Sequence, residues 1–291
     1  MPELPEVETM RRGILSVVGR QIVAVTCPQS TLQSIEITPS LARLRKQVCG
    51  QTIRDVSRRG KRVLVHLEDG AVIVMEPRMA GLILLDNPPT EKHLRLCFHL
   101  EDRSVAEETA HFLFWDKRGL GKVHWLDSSQ IEPRLGRERL GPDALEVTAR
   151  ILKERLGGSR RPIKVALLDQ KGVAGIGNLY ASEILHWAGI DPRLACTALT
   201  LRQWERVSCW TRRVLEQAIE HEGSTLADGT YRNALSNPGG YQNHHRVYDR
   251  GGEVCLQCRA GTIKRIVQAQ RSTYYCPVCQ CRRGVHPAVI V

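Results

Sequence analysis

Two cysteine pairs, Cys255-x2-Cys258 and Cys276-x2-Cys279, stand seventeen residues apart and restrict the C-terminal segment more tightly than any other feature of the chain. Thiolates at this spacing each bite one metal from a tight turn and together close a tetrahedral zinc site. Four thiolates leave no position for a reactive water, so such a zinc is structural. The segment around it is small and β-rich and lacks enough core to fold unaided, so the metal supplies its stability. Cys281, two residues beyond Cys279, is a spare sulfur that could substitute.

The remaining cysteines of the ten (Cys27, Cys49, Cys97, Cys196 and Cys209) are scattered, mostly in apolar contexts. The N-terminus is acidic and polar, unlike a secretory leader. No apolar run approaches a membrane span. A reducing cytoplasm with one metal site is therefore expected, with no membrane association. Lys and Arg number 42 against 31 Asp and Glu, a formal net charge of +11. Such a charge implies a polyanionic partner. It is uneven: from Arg246 onward there are eight Arg or Lys and two acids, a net +6 beside the cysteine motif.

At 291 residues the chain is long enough for several domains. Apolar residues at Val7, Met10, Ile14, Leu15 and Val18 predict a helix that ends at Gly19. Short alternating runs then follow: Gln21–Thr26, Thr52–Val56, Arg62–Leu67, Ala71–Met75, His93–Leu100, Phe112–Trp115 and Lys122–Leu126. Turn signals such as Glu68-Asp69-Gly70 separate several of them, as in a mostly antiparallel sandwich or barrel. From about residue 133 the periodicity becomes helical, over Val147–Leu156, Ile163–Leu168, Leu179–Ala188 and Thr200–Glu222. The expected fold is α+β and multidomain, with a helix and antiparallel β-sandwich over residues 1–132, a helical domain over 133–245 and a zinc finger over 246–285.

The chemistry points to the other end of the chain. Methionine is normally clipped before proline, so Met1-Pro2-Glu3-Leu4-Pro5-Glu6-Val7 predicts a mature protein beginning at Pro2. An α-amino group titrates near ~7.7–8.0, so a useful fraction is unprotonated at neutral pH. Amines attack carbonyl-like carbons and form Schiff bases. Glu3 and Glu6 lie beside it and could exchange protons with the reacting atoms. The same residues suit a helix start, with Pro5 in the first turn and acids at the positive end. Both readings can hold at once.

This stretch, continued by Thr9-Met10-Arg11-Arg12-Gly13, closely resembles the start of the bacterial formamidopyrimidine-DNA glycosylases, bifunctional repair enzymes related to endonuclease VIII. Leu4 favours the first branch, since the second usually has glycine there. The resemblance implies Pro2 as nucleophile and Glu3 as its proton-transferring partner. Lys61, in Arg58-Arg59-Gly60-Lys61-Arg62, matches a hairpin lysine assigned to phosphate contact and β-elimination. Arg271, in Gln268-Ala269-Gln270-Arg271-Ser272-Thr273, matches an arginine that holds phosphates and serves δ-elimination; the segment implies a β-hairpin finger. The run Leu168–Glu183 is similar to the family's helix–two-turn–helix, which makes Asn178 a phosphate contact and leaves the role of Lys171 open. His93, after Glu91-Lys92, matches a DNA-contacting histidine.

The family also unstacks DNA with a Met, an Arg and a Phe. Met79 and Arg118 match the first two. Here the chain departs from the pattern: Leu120 stands where phenylalanine stacks, and Gly119 replaces a second arginine. Glu76-Pro77-Arg78 replaces His-Leu-Gly before the methionine, and Ser159 stands for a lysine ahead of Ile163-Lys164, although Arg160 and Arg161 adjoin it. Gly223-Ser224-Thr225-Leu226 and Gly239-Gly240-Tyr241-Gln242 match the ends of the lesion-recognition loop, while its interior from Ala227 to Asn233 differs.

The expectation is a glycosylase with abasic-site lyase activity on oxidised purines such as 8-oxoguanine and formamidopyrimidines. It would act as a monomer on double-stranded DNA containing damaged bases, with one structural Zn2+ and no diffusible cofactor. Two rivals remain: an endonuclease VIII-like preference for oxidised pyrimidines, and a non-catalytic zinc-finger DNA-binding protein. The second has no use for Pro2-Glu3.

Overall fold

The computed structural model describes residues 2–29, 31–101, 109–136, 138–226 and 229–281. The chain divides into two compact units, Met1–Gly136 with Ile219–Gln242, and Arg137–Ala218 with Asn243–Val291.

The first unit is built on a helix and two sheets. Helix α1 (Leu4–Gly13) starts with proline in its first turn, and the Glu6 carboxylate reaches back to the Glu3 N–H at 2.8 Å. It ends at Gly13 rather than Gly19, and a 3-10 turn, Leu15–Val17, follows. Gly13 carries no side chain because a Cβ there would strike the Ala234 methyl.

The strands are β1 (Gln21–Thr26), β2 (Glu36–Thr38), β3 (Ile53–Arg59), β4 (Arg62–Leu67), β5 (Val72–Glu76), β6 (Gly81–Leu84), β7 (Leu94–Glu101), β8 (Thr109–Asp116) and β9 (Lys122–Leu126). One sheet has the order β1-β7-β8-β6 and the other β2-β9-β5-β4-β3. All pairings are antiparallel except β2 with β9. The core joins Val7, Met10 and Ile14 of α1 to inward side chains of both sheets, among them Ile73, Leu82 and the stacked pair Phe98–Phe112, 4.4 Å between ring centroids. Burying that helix face is the hydrophobic term that fixes the head of the chain against the sandwich. Helix α2 (Leu41–Val48) and α3 (Ser128–Leu135) complete the N-terminal segment.

Four of these elements lie outside the predicted runs. Strand β2 has only three residues, and β6 is Gly-Leu-Ile-Leu, buried on both faces and so without alternation. Helix α2 is little more than two turns, too short for a periodic signal. Helix α3 holds Pro133 in its interior and is started by Asp127, which accepts from the N–H groups of Ser129 and Gln130.

The second unit holds α4 (Ala149–Leu156), α5 (Ile163–Leu167), α6 (Asn178–Trp187), most of α7 (Leu201–Glu220) and the hairpin β10 (Lys264–Gln268) and β11 (Arg271–Tyr275). The periodic segments of the sequence correspond to these helices. Past α7 the chain returns to the first unit: Leu85 N–H donates to the Ala234 carbonyl at 3.0 Å, and Tyr231 and Ala234 join the sandwich core. Among the described residues no helix is long and apolar enough to cross a membrane.

Candidate active site and nucleic-acid interface

The first unit carries Pro2, Glu3, Lys61, Met79, His93 and Arg118. Pro2 and Glu3 are buried at the head of α1, Glu3 at 4% exposure. Glu6 is committed to structure: one carboxylate oxygen accepts from Glu3 N–H and the other from Ser224 N–H, each at 2.8 Å. A carboxylate held by two backbone donors fixes both partners. Here it ties the residue after Pro2 to the first residues of the loop beyond α7. Gly223 is needed there, since a Cβ would lie 2.9 Å from the Glu6 carboxyl.

That loop is pinned at its ends. Tyr241 N–H donates to the Gly223 carbonyl (2.9 Å), Thr225 N–H to the Gln242 amide oxygen (3.0 Å), and Gly239 N–H to the Thr225 hydroxyl (2.8 Å). Tyr231 is buried and donates its hydroxyl to the Glu222 carbonyl at 2.9 Å. Ala227 and Asp228, within the interior where the sequence departs from the family, lie outside the described residues.

Lys61 sits in the turn of the β3–β4 hairpin, after Gly60 with φ +57°. Strands β3 and β4 pack on α1, and Glu8 reinforces the junction. Its carboxylate accepts from Arg58 of β3 (3.0 Å) and from Arg11 and Arg12 of its own helix (2.8 Å each). Burial alone would raise the Glu8 pKa, but the Arg11 and Arg12 hydrogen bonds, with the charges of Arg11 and Arg58, outweigh it and hold the group below the usual carboxylate range.

Met79 is exposed (39%) in the turn between β5 and β6. His93, half-buried, meets Trp115 edge-on at 5.4 Å. Burial, and then the charges of Arg95, Lys92 and Lys117, lower its pKa, so the imidazole is neutral at pH 7. Arg118 is exposed on a loop shaped by the buried Asp116, which accepts from Arg118 N–H (2.9 Å) and Gly121 N–H (2.6 Å). Gly119 has a steric reason: its φ is +65° and a Cβ would run into the Gln33 carbonyl. An arginine cannot take this position in this backbone.

In the second unit, Gln170 braces the two turns before α6, donating to the carbonyls of Leu168 (3.1 Å) and Ile176 (2.9 Å) and accepting from Gly175 N–H (2.9 Å). Asn178 opens α6, so its side chain stands at the positive end of the helix. Its oxygen accepts from Lys164 Nζ at 2.6 Å, and its Nδ2 donates to the Ser272 carbonyl at 3.0 Å, leaving a second hydrogen on that nitrogen. Lys164, fully buried, spends its other protons on the Ser272 carbonyl (2.8 Å) and Thr273 hydroxyl (2.7 Å). The structure thereby brings Asn178 beside Ser272, next to the exposed Arg271 that opens β11.

The four thiols of Cys255, Cys258, Cys276 and Cys279 lie within 4.8 Å of one another. Cys255 and Cys279 sulfurs are 3.8 Å apart and those of Cys258 and Cys276 3.7 Å. A tetrahedron with Zn–S bonds of about 2.3 Å has edges of about 3.8 Å. Gly261 and Cys279 N–H groups point at the sulfurs of Cys258 and Cys276, at 3.3 and 3.5 Å. A Cβ on Gly261 would sit 2.6 Å from the Cys276 sulfur. Burial drives the Cys276 and Cys279 thiols up, Cys276 to about 11, so these sulfurs ionise readily only against a cation. The cluster fits one zinc ion, and Cys281 is not among its members.

The finger is locked onto α6. Gln280 accepts from Cys276 N–H (2.9 Å) and donates to the Ile190 carbonyl (2.9 Å). The buried Glu183 of α6 accepts the N–H groups of Arg246, Val247 and Tyr248 at 2.7–2.9 Å. Glu8, Lys164, Glu183 and Gln280 were not anticipated as organising groups. Of these only Glu8 left a local signal, its i+3 and i+4 spacing to Arg11 and Arg12.

A sandwich headed by a buried proline and glutamate, a two-turn helical motif and a four-thiol finger define a class of DNA-repair enzyme. The sequence matches the formamidopyrimidine-DNA glycosylase N-terminal domain over residues 1–123, the H2TH domain of the same enzymes over 140–229, and a zinc finger found in FPG and IleRS over 252–281. It is 37% identical to formamidopyrimidine-DNA glycosylase of Chloroflexus aurantiacus, over 96% of this chain and 98% of that one. It is also 37% identical to that of Laribacter hongkongensis, over 96% and 100%. Among solved structures, the Lactococcus lactis Fpg with an abasic site containing DNA superimposes with TM-score 0.83 at 30% identity, over 96% of this chain and all of that one. The chain belongs to the formamidopyrimidine-DNA glycosylase family of DNA-repair enzymes.

Proposed function

We propose that this protein is a bifunctional DNA glycosylase and abasic-site lyase that removes oxidised purines, 8-oxoguanine and formamidopyrimidines, from double-stranded DNA. The observation that carries the reading is the head of α1, where Pro2 and Glu3 are buried and Glu6 ties Glu3 to the loop at Ser224. Removal of Met1 frees the Pro2 nitrogen. Its lone pair attacks C1′ of the extruded nucleotide, the bond from C1′ to the base breaks, and the base departs with a proton. Glu3 exchanges protons at the sugar as the ring opens, leaving an iminium between Pro2 and C1′. Loss of a C2′ proton then expels the 3′-phosphate, and a second elimination expels the 5′-phosphate. Water releases the sugar fragment and restores the amine. No redox partner enters.

Lys61 and Arg271 hold the flanking phosphates and assist the two eliminations, and Asn178 adds a phosphate contact from the start of α6. Met79 fills the gap left by the extruded base, Arg118 faces the orphaned partner, and His93 contacts the strand; apolar wedges of this kind lower the cost of unstacking. A zinc ion on Cys255, Cys258, Cys276 and Cys279 supplies a crosslink that keeps the finger folded, and the protein acts as a monomer. The family's neighbours include Lactococcus lactis Fpg with Fapy-dG containing DNA, which supports a purine-derived substrate, and with an oxidized pyrimidine containing DNA, which keeps the pyrimidine reading in view. A panel of duplexes with single lesions, scored for base release and nicking, tests the proposal. Faster release of 8-oxoguanine and formamidopyrimidine than of oxidised pyrimidines is expected; the reverse order would assign the endonuclease VIII-like specificity.

A further inference from the structure

The turn that carries Met79 is built against its own sequence. Arg78, immediately before it, has φ +50°, a left-handed conformation that side-chain-bearing residues adopt reluctantly. The turn is closed by Gly81 N–H on the Pro77 carbonyl at 2.8 Å, an approach so close that no Cβ fits at Gly81. Something must hold an arginine there.

The end of the five-stranded sheet supplies it. Glu36 of β2 lies opposite Lys122 of β9, and Lys122 lies opposite Glu76, the last residue of β5. One step beyond the Val63–Met75 pair, Arg62 of β4 meets Glu76, and Arg62 in turn pairs with Arg59 of β3. Charges along the row therefore alternate over four strands, the arrangement that cross-strand pairing favours. The Lys122–Glu36 pair measures 2.5 Å and Arg62–Glu76 2.7 Å, with the latter side chains 24% and 16% exposed. The second oxygen of Glu76 faces the Arg78 guanidinium at 4.0 Å. A cavity of about 110 Å³, lined by Arg62, Glu76, His124 and Arg134 among others, opens beside the pair, so solvent reaches it and it adds orientation more than stability.

We infer that Glu76 is a positioning residue for the turn that carries Met79: anchored through one oxygen by Arg62 of β4, it faces and steadies Arg78 of that turn with the other. It touches neither substrate nor reacting atoms. The inference rests on the functional reading above for the role of Met79, but the bracket itself is a property of the free protein.

Glu76→Gln keeps the shape and removes the charge. Amide hydrogen exchange over residues 78–81 should then quicken about tenfold while β5 and β9 keep their protection, as for neighbours sharing one network. Excision of a lesion from duplex DNA should fall about tenfold, whereas cleavage of a single-stranded abasic oligonucleotide, with no stack to fill, should change less than about twofold. Arg78→Gly relieves the left-handed strain, so the double variant Glu76→Gln with Arg78→Gly should recover slower exchange and most of the duplex activity. Unchanged exchange in Glu76→Gln, loss of protection across the whole sheet, equal loss on both DNA substrates, or no recovery in the double variant would each overturn the bracket. Failure of the unaltered protein to excise any lesion would count against the functional reading alone, because the exchange arm needs no DNA.

Discussion

Single carboxylates decide the geometry at the head of the chain. Glu6 spends both oxygens on backbone donors, one of them on Ser224, 218 residues further along the chain, and Glu8 gathers Arg11, Arg12 and Arg58. Glu8→Gln leaves those arginines crowded without their counter-charge and should cost about 2 kcal/mol, less than a fully buried pair because Arg12 is exposed. The Glu8 pKa is lower in the folded than in the unfolded chain, so its stabilisation is complete above the unfolded value near 4.5 and is lost as pH falls through the folded value. Urea denaturation at pH 7 and pH 3 should therefore show the variant weaker at the first and the gap to the unaltered protein narrower at the second. At this scale the sequence was most readable where chemistry is local. Pro2-Glu3 drew notice as an amine beside a carboxylate, but its residues suit a helix start equally, and only the resemblance singled out the chemistry. The Glu6–Ser224 bond drew none, because no local pattern reports a partner so distant.

Among the elements, those with a long period were legible and those built by context were not. Helix α7, twenty residues with a clear apolar face, was visible; α3, with Pro133 inside, and β6, apolar on both faces, were not. The finger was legible because four sulfurs fix it, and its attachment through Gln280 and Glu183 was not, because one amide and one carboxylate leave no spacing signal. Cys276→Ser should lower bound zinc below one per chain and unfold the finger, measured by metal analysis and near-UV dichroism; full zinc content would bring Cys281 in as a replacement ligand. Gly119→Ala should destabilise the first unit by about 1–3 kcal/mol, since its left-handed backbone faces the Gln33 carbonyl. That departure from the family pattern is thus a backbone requirement, while nothing in the structure explains Leu120 at the neighbouring position.

At the scale of the molecule, the switch from β to helical periodicity was written in the sequence, and the return of Ile219–Gln242 to the first unit was not, because tertiary packing on Ala234 and Tyr231 decides it. The net charge of +11 belongs to this scale too. Arg271→Ala should flatten the dependence of DNA affinity on salt by about 0.9 in the log–log slope, one phosphate's share. Asn178→Ala should weaken binding to damaged and undamaged duplexes alike, since phosphate contacts carry no base information. A loss confined to lesion DNA would make Asn178 a reader of the base. The central claim, that the Pro2 nitrogen is the nucleophile, is tested by borohydride reduction of the protein on an abasic or lesion duplex. The account predicts a stable adduct that peptide mapping places on the N-terminal peptide, and its near loss in Pro2→Gly or in protein that keeps Met1. An adduct on an internal lysine such as Lys61, with Pro2→Gly fully active, would contradict it.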